Sequence, residues 1–515
     1  MPRIKLLNQW LAGSAWRSRA LLFVSGALLT LSFAPVGWYV LAPLLLLPLL
    51  CGFLVSTPKA AAIIGFCFGA GLFLTGTYWL YTSIHVFGEA PLLLAVFLML
   101  ALVLIMGLYY AAAGWLIARL CAGQAMRLLV VAPSVWVAME WLRGWFLSGF
   151  PWMSLGYGQI DSPLAGIAPV LGVYGVSLAV VITATALLVA AIGQRRLRWP
   201  LAAAAFVPWV IAYPLQGVQW TEESGPAVIT TIVQGGISQD RKWLPGQFEP
   251  TLALYRDSLS SNPESQLIVW PEVAIPASPY QAERVEQYIA ALQTDLVAQD
   301  QSLLFGILEP DFEKQRIYNS VVMLDGAGRQ IYRKRHLVPF GEYFPVPDFV
   351  REWMRLMSLP NSDISPGNAI QPLLQTPDGQ KLAVAICYED AYGSEQLYAL
   401  PDATILINVS NDAWFGDSIA PHQHLEIARM RALEAGRPVV RATNTGISAF
   451  IAADGTLGRT APQFATVSVT AAVMPRQGLT PYARFGDVPV IALVLVIVGW
   501  YTWRERTRSR NQSIN

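Results

Sequence analysis

The stretch AVAICYEDAYG, Ala383–Gly393, runs an apolar segment into a single thiol, Cys387, and follows it at once with Tyr388, Glu389 and Asp390. LAVAIC, from Leu382, has the near-continuous apolar character of a buried strand. YEDAYGSEQLYAL reads as a turn entering a helix. Cys387 is then expected at a strand-to-helix junction. Free backbone N–H groups and the helix dipole can stabilise a thiolate there, and the same N–H groups can bind an oxyanion.

Outward from this stretch the same texture recurs. AVITTIVQ, QLIVW, SLLFGIL, SVVML, ATILINVS, ISAFIAA and ATVSVTAAV are short β-branched runs, with helical stretches such as Gln281–Gln299 and His422–Ala435 between some of them. Apolar strands alternating with helices predict an α/β domain whose sheet faces are both covered. Asp325-Gly326, Asp378-Gly379 and Asp454-Gly455 read as hairpin turns, which makes the sheet mixed.

The first part of the chain has a different composition. Of 515 residues, 54% are apolar and only 13% charged, with a net charge of +1, which points to a membrane protein. Before Gln216 the only acidic residues are Glu89, Glu140 and Asp161. Long apolar runs cover Ala20–Val55 (broken near Pro35), Ala60–Tyr81, Pro91–Leu120, Leu128–Leu142, Ile167–Ile192 and Trp199–Pro214, with another at Val488–Trp503. A spanning helix needs about 20 apolar residues. Reading Ala20–Val55 as two spans gives seven before the soluble region and one after it.

Positive charge supports that parity. Arg3, Lys5, Arg17 and Arg19 precede the first span, Lys59 follows the second, Arg119 and Arg127 the fourth, and Arg195, Arg196 and Arg198 the sixth. Arg504, Arg506, Arg508 and Arg510 lie in the tail. By the positive-inside rule these connections are cytoplasmic and the soluble region is extracytoplasmic. The expected organisation is a membrane domain over 1–215, a catalytic domain over 216–487, and a last helix with a basic tail over 488–515. The start, MPRIKLLNQW, reads as a retained anchor.

Cys51, Cys67 and Cys121 fall within or beside spans, where cysteine is usually a small hydrophobe. Cys387 is alone in a region expected to face an oxidising compartment. A nucleophilic cysteine needs a proton acceptor and a group that stabilises negative charge. LIVWPEVAIP ends a buried strand with Glu272, a partly desolvated carboxylate suited to accept a proton. IYRKRHLVPFGEY follows a hairpin strand with Lys334 and, eight residues on, Glu342. Any one of these alone reads as a surface charge flanking a strand; three together do not.

These ends resemble the nitrilase superfamily, an α-β-β-α sandwich with Glu, Lys and Cys at successive strand ends. WPEVAIP, KRHLVPFGEY, ICYED and NVSNDAWFG, behind a block of spans, more closely resemble the apolipoprotein N-acyltransferase family. The resemblance implies Cys387 as nucleophile, Glu272 as general base and Lys334 as the oxyanion-stabilising cation. It implies Glu342, Tyr388 and Glu389 as supporting residues, and less securely Trp243 in DRKWLPGQ and Asn319 in YNSVV. The implied reaction moves an acyl chain from a membrane phospholipid through a Cys387 thioester to the N-terminal amine of a diacylglyceryl-cysteine lipoprotein. No cofactor is implied, and the setting is the periplasmic face of the bacterial inner membrane.

A tethered nitrilase-type hydrolase would use the same triad. FVREWMRLM places Phe349, Trp353, Leu356 and Met357 on one helical face, opposite Arg351, Glu352 and Arg355, which suits an interfacial helix or lid and equally an ordinary core-facing helix; the resemblance and the membrane tether are what favour the acyltransferase. Glu140 and Arg143 read as a mutual pair, and WFLSGFPWMSLGYG (Trp145–Gly158) as an interfacial aromatic belt. His422 and His424 in PHQH read as structural rather than metal-binding, and His336 as unneeded beside Glu272. No basic face suggests nucleic acid, and a monomer is expected.

Overall fold

The computed structural model describes residues 15–277, 279–343, 349 and 364–514. It divides into two compact units. One comprises Met1–Gln219, Asp417–Glu426 and Arg484–Asn515, the other Trp220–Gly416 and Ile427–Ala483.

In the first unit, five helices among the described residues are long and apolar enough to cross a membrane: Pro58–Gly76, Leu92–Cys121, Ala125–Ser148, Pro163–Ile192 and Val488–Arg508. The expected break near Pro35 is present. Helix Ala15–Leu29 gives way to the short turn Thr30–Ser32, and a new helix runs over Leu41–Val55. At 15 residues the latter rises roughly 22 Å, short of the roughly 30 Å hydrocarbon layer. The stretch expected as a seventh span, Trp199–Pro214, is not one helix but parts of two, Arg195–Ala204 and Val207–Leu215. Pro200, Pro208 and Pro214 each remove a backbone donor, and the chain breaks between the two pieces. The expected eight helices thus resolve into five long ones, two shorter ones and this broken pair.

Helix packing in this unit relies on close backbone approach. A Cβ on Gly26 would lie 2.0 Å from the Phe68 carbonyl oxygen, and one on Gly71 would lie 2.0 Å from that of Phe23. Small residues let apolar helices meet where no hydrophobic drive separates them from lipid.

Glu140 and Arg143 do not pair with each other as expected. Glu140 Oε1 accepts from Trp136 Nε1 at 2.9 Å and Leu155 N at 3.0 Å. Arg143 donates to the carbonyls of Phe150 and Trp152 and to Ser154 Oγ. Each buried charge secures the turn-rich segment that follows its helix, because unpaired loop carbonyls and N–H groups need partners. The aromatic stretch is divided rather than uniformly interfacial: Trp145, Phe146 and Leu147 are exposed, while Trp152, Leu155 and Tyr157 are buried. His424 is buried with its ring 5.7 Å from that of Trp152.

In the second unit, the short β1 (Glu222–Glu223) pairs with Arg476–Gln477, while β2 (Val228–Gln234), β3 (Leu267–Val269), β4 (Ser302–Asp311), β5 (Arg316–Asp325) and β6 (Gly328–Arg333) form most of one sheet, with β13 (Val467–Val473) at its edge. Its order is β13-β2-β3-β4-β5-β6. The second sheet contains β7 (Leu374–Gln375), β8 (Lys381–Ile386), β9 (Ile405–Ser410), β10 (Val439–Thr443), β11 (Ala449–Ile451) and β12 (Leu457–Thr460), in the order β12-β11-β10-β9-β8-β7. Parallel neighbours β2–β3, β3–β4 and β9–β10 are joined by crossover helices Phe248–Ser260, Ala282–Gln299 and Ala420–Ala435. The three Asp-Gly turns join antiparallel pairs, as expected.

Period-two alternation fixes the layers. Ile232, Leu267, Val269, Leu304, Val321 and Met323 pack in one core with Leu382, Val384, Ile407 and Val409 of the other sheet. Val233, Ile268, Leu303, Phe305, Val322 and Leu324 point the other way, into a core with Leu252, Tyr255, Tyr288 and Leu292 of two helices. The strands read as continuously apolar because both faces are buried.

Of the amphipathic segment at 349–357, only Phe349, which is exposed, lies among the described residues.

Candidate active site

The two sheets bring their strand ends together at one site. Glu272 follows β3, Lys334 follows β6 and Cys387 follows β8. Lys334 is 1% exposed, and its Nζ lies 2.8 Å from Glu342 Oε2 and 3.7 Å from Glu272 Oε1. Burial works against its charge. The carboxylates of Glu342 and Glu272, and the Cys387 sulfur when ionised, more than offset this and hold its pKa well above the usual lysine value. It is a fixed cation between two carboxylates.

Asn319 lies beside it. Its Nδ2 donates to Glu272 Oε1 at 2.7 Å and to Glu342 Oε1 at 3.0 Å, so one amide spaces the two acids. Glu342 Oε2 also accepts from Val338 N at 2.8 Å. The other oxygen of Glu272 accepts from Asn411 N, just past β9, at 2.9 Å. Glu272 is 7% exposed and therefore oriented and nearly dry.

Cys387 has φ +50°, a left-handed conformation that costs a non-glycine residue energy and holds its side chain in a set direction. The expected helix behind it is only the five-residue 3-10 turn Cys387–Ala391, followed by the four-residue Gly393–Gln396. So short a turn has little dipole to offer a thiolate. Burial and the charge of Glu272 push the thiol up, against the pull of Lys334. That direction favours the thiol, so loss of its proton calls for a base, and the helix dipole expected to assist is weak.

Glu389 is a positioning carboxylate. It accepts from the Tyr332 hydroxyl, from Arg335 N at 2.7 Å and His336 N at 3.2 Å, and from Ile386 N at 2.7 Å. It thereby ties the turn after Lys334 to the strand before Cys387. Glu389→Gln turns an amide donor towards one of these N–H groups, and each buried donor left unpaired costs about 1–3 kcal/mol. The expected result is a lower unfolding temperature together with reduced activity, read by thermal-shift and acyl-transfer assays. Unchanged stability would contradict the clamp.

Tyr388 packs edge-on against Tyr392 at 5.2 Å and His336 at 5.8 Å, and His336 stacks on Tyr392 at 3.8 Å. His336 Nδ1 meets Glu395 at 2.8 Å. Trp243 is 47% exposed, at the end of the short helix Gln239–Lys242. Its neighbour Lys242 is buried and donates to the Glu272 carbonyl at 3.3 Å; burial lowers its pKa to about 8, with Glu272 opposing. Gln239 accepts from Asn411 Nδ2 at 2.8 Å.

Sequence reasoning missed Lys242, Gln239, Ser410, Asn411 and Asp412. DRKW and NVSND were the signals available, but neither phrase says which side chain turns inward.

Residues 25–186 match the family model for the apolipoprotein N-acyltransferase N-terminal domain, and residues 229–482 match that for carbon-nitrogen hydrolase. Fold and site therefore define a carbon-nitrogen hydrolase-type α/β domain carried by a multi-span membrane domain. The apolipoprotein N-acyltransferase of Methylococcus capsulatus is 40% identical over 96% of this chain and 98% of its own. Those of Azotobacter vinelandii and Vibrio cholerae are 39% and 38% identical, each over 97% of this chain and over 97% and 99% of their own. Among solved structures, Saccharomyces cerevisiae Nit3, of branch 10 of the nitrilase superfamily, is 19% identical over 49% of this chain and 93% of its own, with a TM-score of 0.38. The chain belongs to the apolipoprotein N-acyltransferase family and is a membrane protein.

Proposed function

We propose that this chain N-acylates lipoproteins, with Cys387 as nucleophile, Glu272 as general base and Lys334 as the cation that steadies the oxyanion. The observation that carries this reading is that Glu272, Lys334 and Cys387 stand at three strand ends of one site, with Lys334 Nζ 3.7 Å from Glu272. Glu272 takes the thiol proton as sulfur attacks an ester carbonyl of a membrane phospholipid. The tetrahedral intermediate collapses with cleavage of the C–O bond. The leaving lysophospholipid oxygen takes back the proton, and the acyl chain stays on sulfur. The α-amine of a diacylglyceryl-cysteine at the acceptor's N-terminus then attacks the thioester, forming an amide and restoring the thiol. A thioester keeps the acyl group reactive, so no cofactor is called on. One chain carries all three groups, and we read it as acting as a monomer.

The test is mass spectrometry of purified enzyme exposed to phospholipid vesicles. A hydroxylamine-sensitive acyl adduct on Cys387 that disappears when acceptor peptide is added is expected. An enzyme that turns over with no such adduct would exclude the thioester route.

The catalytic domain, taken as 216–487 between membrane segments 1–215 and 488–515, is placed on the periplasmic side of the inner membrane. Alternate basic connections support this by the positive-inside rule. A reporter fused at Gly217, just past helix Val207–Leu215, is expected to show periplasmic activity. Cytoplasmic activity would overturn both the parity and the setting.

A further inference from the structure

Beneath Cys387, the end of β9 contributes three consecutive residues to the site. Asn411 N holds Glu272. Ser410, fully buried, is hydrogen-bonded to the Cys387 sulfur and donates to Asp412 Oδ1 at 2.8 Å. Asp412 Oδ2 accepts from Arg441 Nη2 at 2.9 Å, and neither side chain of that pair is exposed. Arg441 is also held by Asn408, whose Nδ2 reaches Ala385 O on β8. A Cβ on Gly446 would lie 2.3 Å from Asp412 Oδ2, so the carboxylate occupies space that only a glycine at that position leaves open.

A hydroxyl has one proton to donate and lone pairs to accept with. While it donates to Asp412, Ser410 can only accept from the thiol. A thiolate accepts only, and the protein must supply a donor once the proton has gone.

We propose that Ser410 is a further catalytic group: its hydroxyl accepts the Cys387 S–H at rest while donating to Asp412, then turns to donate to sulfur as Glu272 removes the proton. The proton passes from sulfur to the Glu272 carboxylate, and one O–H···O bond is exchanged for O–H···S. Asp412 can release its donor because Arg441 remains on its other oxygen. Asp412 and Arg441 are thus positioning residues. Among the described residues, the charges that act on the sulfur are those of Glu272, Lys334 and Asp412. Only Ser410 among these neighbours can change from acceptor to donor without itself gaining or losing a proton.

The inference rests on Cys387 being the nucleophile, and its test separates the two. Full-length enzyme in detergent is alkylated with iodoacetamide across pH, and the Cys387 peptide is read by mass spectrometry, apart from Cys51, Cys67 and Cys121. In Ser410→Ala the alkylation midpoint is expected to rise by about one pH unit, slowing the reaction about tenfold below the midpoint. Acylation should slow in parallel and recover as pH is raised. A merely structural role would lower thermal stability without moving the midpoint, and an unmoved midpoint would overturn the proposal. Ser410→Thr keeps the hydroxyl and should keep the wild-type midpoint. If Ser410→Ala does not accumulate, an upward shift in Ser410→Thr overturns the proposal instead. Absence of an acyl adduct in wild-type enzyme would sink the thioester reading; an adduct with an unmoved midpoint would sink only the role of Ser410.

Discussion

Cys387→Ser is expected to insert and fold normally and to lose acyl transfer by at least about 10³-fold. The substitution changes little in size, and the strained backbone at φ +50° is as available to serine as to cysteine. What changes is acidity. The thiol already resists ionisation because desolvation and the charge of Glu272 both disfavour the anion. A hydroxyl, far less acidic than a free thiol of pKa about 8.5, would present the same base with a much harder proton. The leaving group of the second step changes too, since an oxygen ester yields to an amine far less readily than a thioester. Acyl transfer to a diacylglyceryl-cysteine peptide, assayed beside a thermal-shift control, checks this. Near-normal turnover would remove the thioester from the mechanism.

Lys334→Met should be as severe, for two separate reasons. Losing one oxyanion-stabilising group costs about 10²–10³ in rate. Lys334 also lies 3.7 Å from Glu272 and 2.8 Å from Glu342, holding both in place while they accept from the Asn319 amide at 2.7 and 3.0 Å. Without the cation, two neighbouring buried carboxylates lose their common partner, and the base for Cys387 is no longer held in position. Glu272→Gln removes the base directly and leaves Lys334 paired to Glu342, so its loss is expected to match without that second effect. Single-turnover acyl-enzyme formation checks both: each variant should form the adduct at least about 10²-fold more slowly than wild type. Wild-type adduct formation by either variant would exclude that residue from the first half-reaction.

The sequence was most informative where one residue type could serve only one purpose. Buried strands were legible because Leu267–Val269 and Ile405–Ser410 are apolar or neutral on both faces, and the three Asp-Gly turns because few other pairs suit that geometry. Glu272, Lys334 and Cys387 stood out as charge or thiol at the ends of such strands. The helix behind Cys387 was misread because its length cannot be seen in YEDAYG, and the dipole argument depends on length. The Trp199–Pro214 segment was misread because hydropathy counts apolar residues but does not register the donors its prolines remove. Lys242 and Ser410 were invisible for a third reason. Their roles depend on which partner the tertiary fold brings to a short polar side chain.

Glu272, Lys334 and Cys387 each lie within three residues of a strand end, and the strands are locked by packing between two sheets. The reactive set is therefore inherited with the sandwich, whereas the connections between strands contribute access and partners. A lineage can lengthen or replace those connections without disturbing the proposed nucleophile, base and cation. Exchanging water for an amine as acceptor then asks for no new chemistry at the centre. It asks only for different peripheral segments around an unchanged reaction.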